Sequence, residues 1–249
     1  AQKLAQQELA DALQKERELS AMKSGFVSLV SHEFRTPLAV IQSAGDLIQH
    51  YWERLSEKKR EEKMKEIQTQ IGVMTNLLDN FLSVNGVETL GMDFAPQHLD
   101  LIGFTRDLVD EMRRATGTDT ITLVSRETSM SVNLDSKLLR QILVNLLTNA
   151  MKYSTPESPI EVEIVRAPDE ITIRVRDQGM GIPAGDQPHI FNAFHRGTNI
   201  GNIHGTGLGL AIVKHAVEAH HGEILFQSEV GQGTTMTVIL PLGSSHEEP

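Results

Sequence analysis

The sequence predicts two units of different class. An antiparallel helical hairpin forms a dimeric four-helix bundle, and an α/β sandwich with a mixed, mainly antiparallel sheet follows it. Three observations carry this. Up to residue 85 the apolar residues fall at helical spacing, with almost no strand-like alternation. Helical periodicity then breaks at Asn85 and Gly86. Beyond residue 120, alternating apolar–polar stretches are interleaved with further helical ones. At 249 residues the chain is long for one domain and comfortable for two.

Taken in order, Ala5, Ala12, Leu19 and Phe26 recur every seven residues, with Leu9, Met22 and Val30 near the intervening positions. This is a coiled-coil pattern over 1–20 that runs into the hairpin, 21–86. Pro37 lies inside the helical pattern, which continues through Leu38, Ile41 and Leu47, and implies a kink. The pattern fades in the polar stretch 53–63. It returns with Met64, Ile67, Ile71, Met74, Leu78 and Phe81, spaced by three and four. Two helices alone cover their apolar stripes poorly, and a homodimeric bundle covers them. The alternative is an intramolecular hairpin packed on the following domain.

Residues 85–100 read as linker and approach, with the linker proper at 87–98, the second unit at 99–244 and a tail at 245–249. ITLV (121–124) and SVNL (131–134) read as short strands. Asp135 caps an amphipathic helix through Leu138, Ile142, Leu146 and Ala150. IEVEIV (160–165) and ITIRVR (171–176) alternate around a turn at Pro168 and Asp169, which indicates antiparallel pairing. An irregular glycine-rich region spans 179–207. A helix (208–220) and two strands around Gly231 and Gly233, EILFQS (223–228) and TMTVIL (235–240), complete the unit.

Composition excludes several functions. The formal charge is −10, which argues against nucleic acid or an anionic membrane as main partner, since both require clustered Lys and Arg. There is no cysteine, so disulfides, thiol catalysis and cysteine metal sites are out. No apolar run is long enough for a membrane span, and nothing resembles a signal peptide. The chain starts without methionine. The expectation is a cytoplasmic fragment, with any sensor or membrane anchor in a missing upstream region.

The chemistry concentrates in a few segments. No Walker loop is present, so a P-loop NTPase is excluded. GMGIPA (179–184) matches a dinucleotide fingerprint in spacing, but Pro183 stands where the helix should begin and no acidic residue lies about twenty positions on. Another reading uses all the pieces. Asp177 ends a strand and can accept from an amino group such as that of adenine, while Gly179 and Gly181 let the backbone turn beneath the base. Asn145 and Asn149 share a helix face, and their amide oxygens suit Mg²⁺. Lys152 can meet a phosphate and Tyr153 can lie against a base. Gly205, Gly207 and Gly209 precede a helix whose N-terminus can receive phosphate oxygens.

The segments QILVNLLTNAMKYS (141–154), DQGMGIP (177–183), IFNAFHRG (190–197), HGTGLGLAIV (204–213) and GQGTT (231–235) resemble the nucleotide-binding boxes of sensor histidine kinases, in family order. SHEFRTPL (31–38) resembles their phosphoacceptor box. The resemblance covers nearly the whole chain past residue 20. It implies a dimerisation and histidine-phosphotransfer hairpin followed by an ATP-binding domain of the gyrase, Hsp90, histidine kinase and MutL type. By motif it assigns ATP contacts to Asn145, Asn149, Lys152, Tyr153, Asp177, Gly179, Gly181, Ile182, Arg196, Gly205, Thr206, Gly207, Leu208, Gly209 and Thr234, and Mg²⁺ to Asn149 and Asn145.

The same resemblance makes His32 the phosphoacceptor. Its helical offset is about 120° from Phe26 and about 160° from Val30, so it points away from the core seam. Glu33 takes its proton or fixes its tautomer. Thr36, on the same face, positions the water that dephosphorylates a response regulator. Phe191 and Phe194 anchor a lid or fill the core, Arg196 contacts the γ-phosphate, and His195 stands where an aromatic residue is usual. His204, His215, His220 and His221 do not have metal-site spacing, and His221 with Gly222 fits a helix end. The expected function is ATP-dependent autophosphorylation of His32 in a homodimer, then transfer to an aspartate of a separate response-regulator receiver domain. A nucleotide-binding dimeric scaffold without kinase activity is the alternative. Whether transfer occurs within or across subunits stays open.

Overall fold

The computed structural model describes residues 34–85 (side chains to 75), 94–201, 203 and 205–242. The coiled-coil expectation over 1–20, and those for His32, Glu33, His204 and the tail, lie outside the described residues. The chain divides between Phe81 and Leu82 into two compact units, each described by itself.

The first unit contains helix α1 (34–51) and all but the last turn of helix α2 (Glu57–Asn85). Between them Tyr51 O accepts from Arg54 N at 2.9 Å and Leu55 N at 3.0 Å. Arg60 stacks over the Trp52 ring at 4.5 Å while its Nε donates to Leu55 O at 3.1 Å. The second helix therefore starts at Glu57, not at Met64 as the apolar spacing implied. Its first turns, EKKREEK, are good helix formers that face solvent and carry no apolar beat, and Ser56 O accepts from Arg60 N at their start. Pro37 and Ala44 are buried. Leu38, Leu47, Tyr51, Met64, Ile71 and Val73 stay exposed in the single chain.

The second unit begins with strand β1 (Gln97–Asp100), which pairs antiparallel with β3 (Ser131–Leu134), Gln97 opposite Leu134. The stretch 85–100 is thus not all linker: β1 starts inside it. Helix α3 (Leu101–Thr116) follows, an element absent from the sequence reading. Asp100 caps it, accepting from Ile102 N, and Gly117 closes it in the left-handed region at φ 70°.

The main sheet has the order β2 (Ile121–Ser125), β4 (Ile160–Arg166), β5 (Glu170–Arg176), β7 (Gly233–Pro241), β6 (Glu223–Glu229). β2 runs parallel to β4 and every other pairing is antiparallel. The period-two patterns dictate the layers. Ile160, Val162, Ile164, Ile171, Ile173, Val175, Met236, Val238 and Leu240 are buried in one core with Leu139, Leu143 and Leu147 of α4 (Ser136–Tyr153) and Val213 and Val217 of α5 (Gly209–Ala219). Most of the intervening positions of β4, β5 and β7 are polar, with Val165 and Ile239 as apolar exceptions. Glu161, Glu163, Arg174, Arg176 and Thr235 line a shallow groove of ≈ 550 Å³ there, and Arg174 pairs with Glu163 at 2.7 Å.

Candidate functional site

Helix α4 is fixed at its start by Asp135, whose Oδ1 accepts from Lys137 N at 2.9 Å and Leu138 N at 3.1 Å. Its apolar stripe faces the sheet, which leaves Asn145 and Asn149 half-buried at the edge. Asn145 Nδ2 donates to Gln141 O at 2.8 Å, so its Oδ1 is turned away from its own helix. Gly209, the first residue of α5, packs over the pair. A Cβ there would lie 3.1 Å from Asn145 Oδ1 and 3.5 Å from Asn149 Nδ2. The first helical bond of α5 is Ile212 N to Leu208 O at 2.9 Å. The amides of Gly209, Leu210 and Ala211 therefore belong to the helix turn that has no internal acceptor. The Asn145 amide oxygen, the Asn149 side-chain amide and a helix N-terminus thus share one place, which suits a cation together with phosphate oxygens.

Leu208 is buried, with its N–H at 3.3 Å from Thr206 Oγ1. At the end of α4, Lys152 Nζ lies 4.9 Å from the Tyr153 ring centre, so one face of that ring is occupied. Gly205 packs on the same ammonium: a Cβ there would collide with Lys152 Nζ.

The loop after β5 is held from several sides. Asp177 N donates to Thr234 O at 2.9 Å, while Asp177 Oδ1 accepts from Gly179 N at 2.8 Å and Thr234 N at 3.2 Å. Its Oδ2 has no partner among the described residues and remains an acceptor. Burial pushes the Asp177 carboxyl above the ordinary carboxylate range, and the two N–H donors pull it back. Gly181, at φ 67°, has no room for a side chain, because a Cβ would collide with Glu229 O. At Gly179 the obstacle is Tyr153 O. Both glycines are required by neighbouring protein backbone, not only by a ligand as the sequence implied. Ile182 is pinned at both backbone atoms: its N donates to Ser228 Oγ at 2.9 Å and its O accepts from Gln187 Nε2 at 3.1 Å. Thr234 Oγ1 is 2.9 Å from the same Ser228 hydroxyl.

Beyond the short turn Gln187–His189, Phe191 packs edge-on against Phe226 with ring centres 5.9 Å apart. Phe194 takes a left-handed backbone, φ 69°, and its N donates to Gly207 O at 2.9 Å. Arg196 Nη2 donates to Ile203 O at 2.8 Å, so its guanidinium is tied within its own segment. His195 sits beside Asp186, Nε2 to Oδ1 3.5 Å. Thr36 is exposed on α1.

Apart from Arg196, which is tied to Ile203, the assigned residues of the second unit gather around the end of α4, the start of α5 and the loop after β5. Sequence reasoning missed Asp186, Gln187, Asn199 and Ser228, whose side chains hold this wall. Ser228 had a signal: it shares the inward parity of Ile224 and Phe226, where a hydroxyl must find a buried partner. The others are polar residues of irregular segments and have no periodicity to betray them.

Two family descriptions match the chain. Residues 22–88 match the His Kinase A (phospho-acceptor) domain, and residues 134–244 match the histidine kinase-, DNA gyrase B-, and HSP90-like ATPase family. The circadian input-output histidine kinase CikA of Synechococcus elongatus is 34% identical over 243 residues, covering 94% of this chain and 32% of that protein. The sensor histidine kinase WalK of Bacillus subtilis is 32% identical over 237 residues, covering 90% and 37%. The chain spans a third to a half of the length of the curated relatives it matches. Among solved structures, the Acinetobacter baumannii histidine kinase AdeS shares the fold at TM-score 0.64 and 21% identity, over 86% of this chain and 98% of that one. The histidine kinase ThkA, solved in complex with the response regulator protein TrrA, aligns at TM-score 0.60 and 20% identity, over 92% of this chain and 64% of that one.

Proposed function

We propose, for a chain that belongs to the sensor histidine kinases of two-component systems, that it is an ATP-dependent protein-histidine kinase acting as a homodimer. It autophosphorylates on His32 and passes the phosphoryl group to an aspartate of a response-regulator receiver domain. The observation that carries this is the meeting of Asn145 and Asn149 with the N-terminus of α5, beside a buried Asp177 that keeps one oxygen free, in a chain that also carries SHEFRTPL.

ATP, when bound, supplies the transferable phosphoryl group, and Mg²⁺ offsets the charge of its phosphates. Asn149 and Asn145 would hold the metal through their amide oxygens. Asp177 Oδ2 accepts from the adenine amino group, and Thr234 keeps that carboxylate oriented. Gly179, Gly181 and Ile182 form the floor. Lys152 and the amides around Gly205, Thr206, Gly207, Leu208 and Gly209 receive phosphate oxygens, and Arg196 is assigned to the γ-phosphate. Tyr153 keeps one ring face for the base. His32 attacks through a neutral ring nitrogen as Glu33 takes the proton from the other, and an N–P bond replaces the P–O bond to ADP. Thr36 orients water for dephosphorylation of the regulator.

Working boundaries are 21–86 for the phosphotransfer hairpin and 99–244 for the ATP-binding domain. The exposed Leu38, Leu47, Met64 and Ile71 support dimerisation of the hairpin. The complex of ThkA with TrrA supports a receiver-domain partner. No helix among the described residues is long and apolar enough to cross a membrane, and the segment is assigned to the cytoplasmic side of any larger sensor.

Incubation with labelled ATP and Mg²⁺ tests the reading. An acid-labile, base-stable label is expected on the parent and not on His32→Gln. ATP binding without any label would replace the kinase by a nucleotide-binding scaffold.

A further inference from the structure

A buried carboxylate outside the glycine loops holds the segment that leaves Phe194 and returns at Gly207. Asp186 is 5% exposed, and its Oδ2 accepts from Thr198 N at 2.7 Å and from Thr198 Oγ1 at 2.9 Å. Its Oδ1 faces His195 Nε2 at 3.5 Å, a nitrogen shut off from solvent that makes no hydrogen bond. One residue beyond Thr198, Asn199 Nδ2 donates to Gly181 O at 2.9 Å. The neck of the same segment is closed by Phe194 N to Gly207 O at 2.9 Å. The segment is therefore fastened twice. It is closed at its neck, and it is tied sideways to the wall that carries Gly181 and Ile182.

A buried carboxylate is costly unless donors fill its lone pairs. Here the donors come from Thr198, twelve residues onward in the chain. These bonds hold the Asp186 carboxyl below the ordinary carboxylate range, so it stays ionised and keeps accepting. The same bonds fasten the segment to the turn that carries Asp186. A binding loop ordered in advance does not have to be ordered by its ligand, which favours slow release.

We infer that Asp186 is a positioning residue for nucleotide: by pinning Thr198 and facing His195 it holds the segment after Phe194 against the Gly181 wall before the ligand arrives. The inference rests on the reading of this region as an ATP site. Asp186 touches no part of the Asn145, Asn149 and Gly209 cluster through any described bond, so its effect belongs to ligand retention, not to phosphoryl transfer.

The test uses the full chain, a fluorescent ATP analogue and Mg²⁺. It reads the dissociation constant, the release rate, and His32 labelling against ATP concentration. Asp186→Ala removes the carboxylate bonds to Thr198 and the contact with His195, Thr198→Val removes the hydroxyl bond at constant shape, and Thr198→Ser keeps it. Expected are a rise in Kd and KM of about tenfold for Asp186→Ala and about threefold for Thr198→Val, chiefly through faster release. The kcat at saturating ATP changes less than about twofold, and Thr198→Ser returns to parent values. Unchanged release and KM in folded Asp186→Ala and Thr198→Val would overturn the inference, as would an equal fall in kcat. If Asp186→Ala does not fold, Thr198→Val decides alone. A parent chain that binds no nucleotide defeats the ATP reading and this inference with it, whereas a parent that binds while both variants match it defeats the inference only.

Discussion

Asp177 uses its two oxygens differently. Oδ1 is committed to the loop amides of Gly179 and Thr234, while Oδ2 keeps its acceptor capacity at the edge of the site. Asp177→Asn can still accept from the loop, but the free position becomes a donor facing the ligand's own amino group. Nucleotide affinity is expected to fall by at least about tenfold with little change in melting temperature, which a titration with ATP beside a thermal melt would check. His220 is the opposite kind of residue, buried yet outside the nucleotide site. Its Nδ1 donates to Ala216 O at 2.8 Å, and its Nε2 accepts from Asp135 N at 3.1 Å, so the ring is neutral where it sits. Burial pulls its pKa below the ordinary histidine value, against the opposing pull of the Ala216 carbonyl and the Asp135 carboxylate. The unfolded chain therefore takes up the proton first as pH falls. The stability due to His220 is complete above about 6.5 and is lost as pH drops through the lower folded value. Urea midpoints should decline between pH 7 and pH 5 in the parent and decline less in His220→Gln. Equal slopes would remove His220 from the acid response.

Helix α4 shows how a few polar contacts set an element that the apolar stripe only orients. Asp135 caps its first turn with Oδ1 and accepts from Ala95 N at 3.0 Å with Oδ2, so one side chain starts the helix and ties down the strand approach before β1. Asp135→Ala is expected to cost about 2 kcal/mol, the upper range for a lost N-cap, and Asp135→Asn clearly less; denaturant unfolding of both variants checks the order. That cap was legible from the sequence, as were β4 and β5, whose strict alternation leaves one face apolar. Helix α3 was harder to see: Leu101, Ile102, Leu108, Val109 and Met112 keep helical spacing, but Thr105 and Gly103 dilute the stripe and the helix opens directly from β1. The strand order was equally hidden. β7 lies between β5 and β6, and the β5–β7 pairing joins residues far apart in the chain, such as Glu170 opposite Pro241, which no local pattern records. The site divides in the same way. Glycines and asparagines in the boxes could be read, whereas Asp186 and Asn199 act through bonds that form only after folding.

At the scale of the whole chain, the two compact units draw stability from different sources. The sandwich buries a continuous core of its own, from Leu101 in α3 to Leu240 in β7. The hairpin leaves Leu38, Leu47, Met64, Ile71 and Val73 exposed in a single chain, and among its described residues Pro37 and Ala44 alone are buried. A unit completed by a second copy must melt in a concentration-dependent way, because association binds the folded form and not the unfolded one. Scanning calorimetry of the chain should therefore show two transitions. The hairpin transition is expected to rise with protein concentration and to be indifferent to ATP. The sandwich transition is expected to ignore concentration and to be stabilised by about 2.7 kcal/mol when ATP and Mg²⁺ are present at about a hundred times the dissociation constant. Ile71→Glu places a charge on the exposed hairpin face and should lower the first transition while leaving the second and its ATP response in place. A single transition that moved with both concentration and ATP would mean that the units unfold together, and that the sandwich does not stand on its own core.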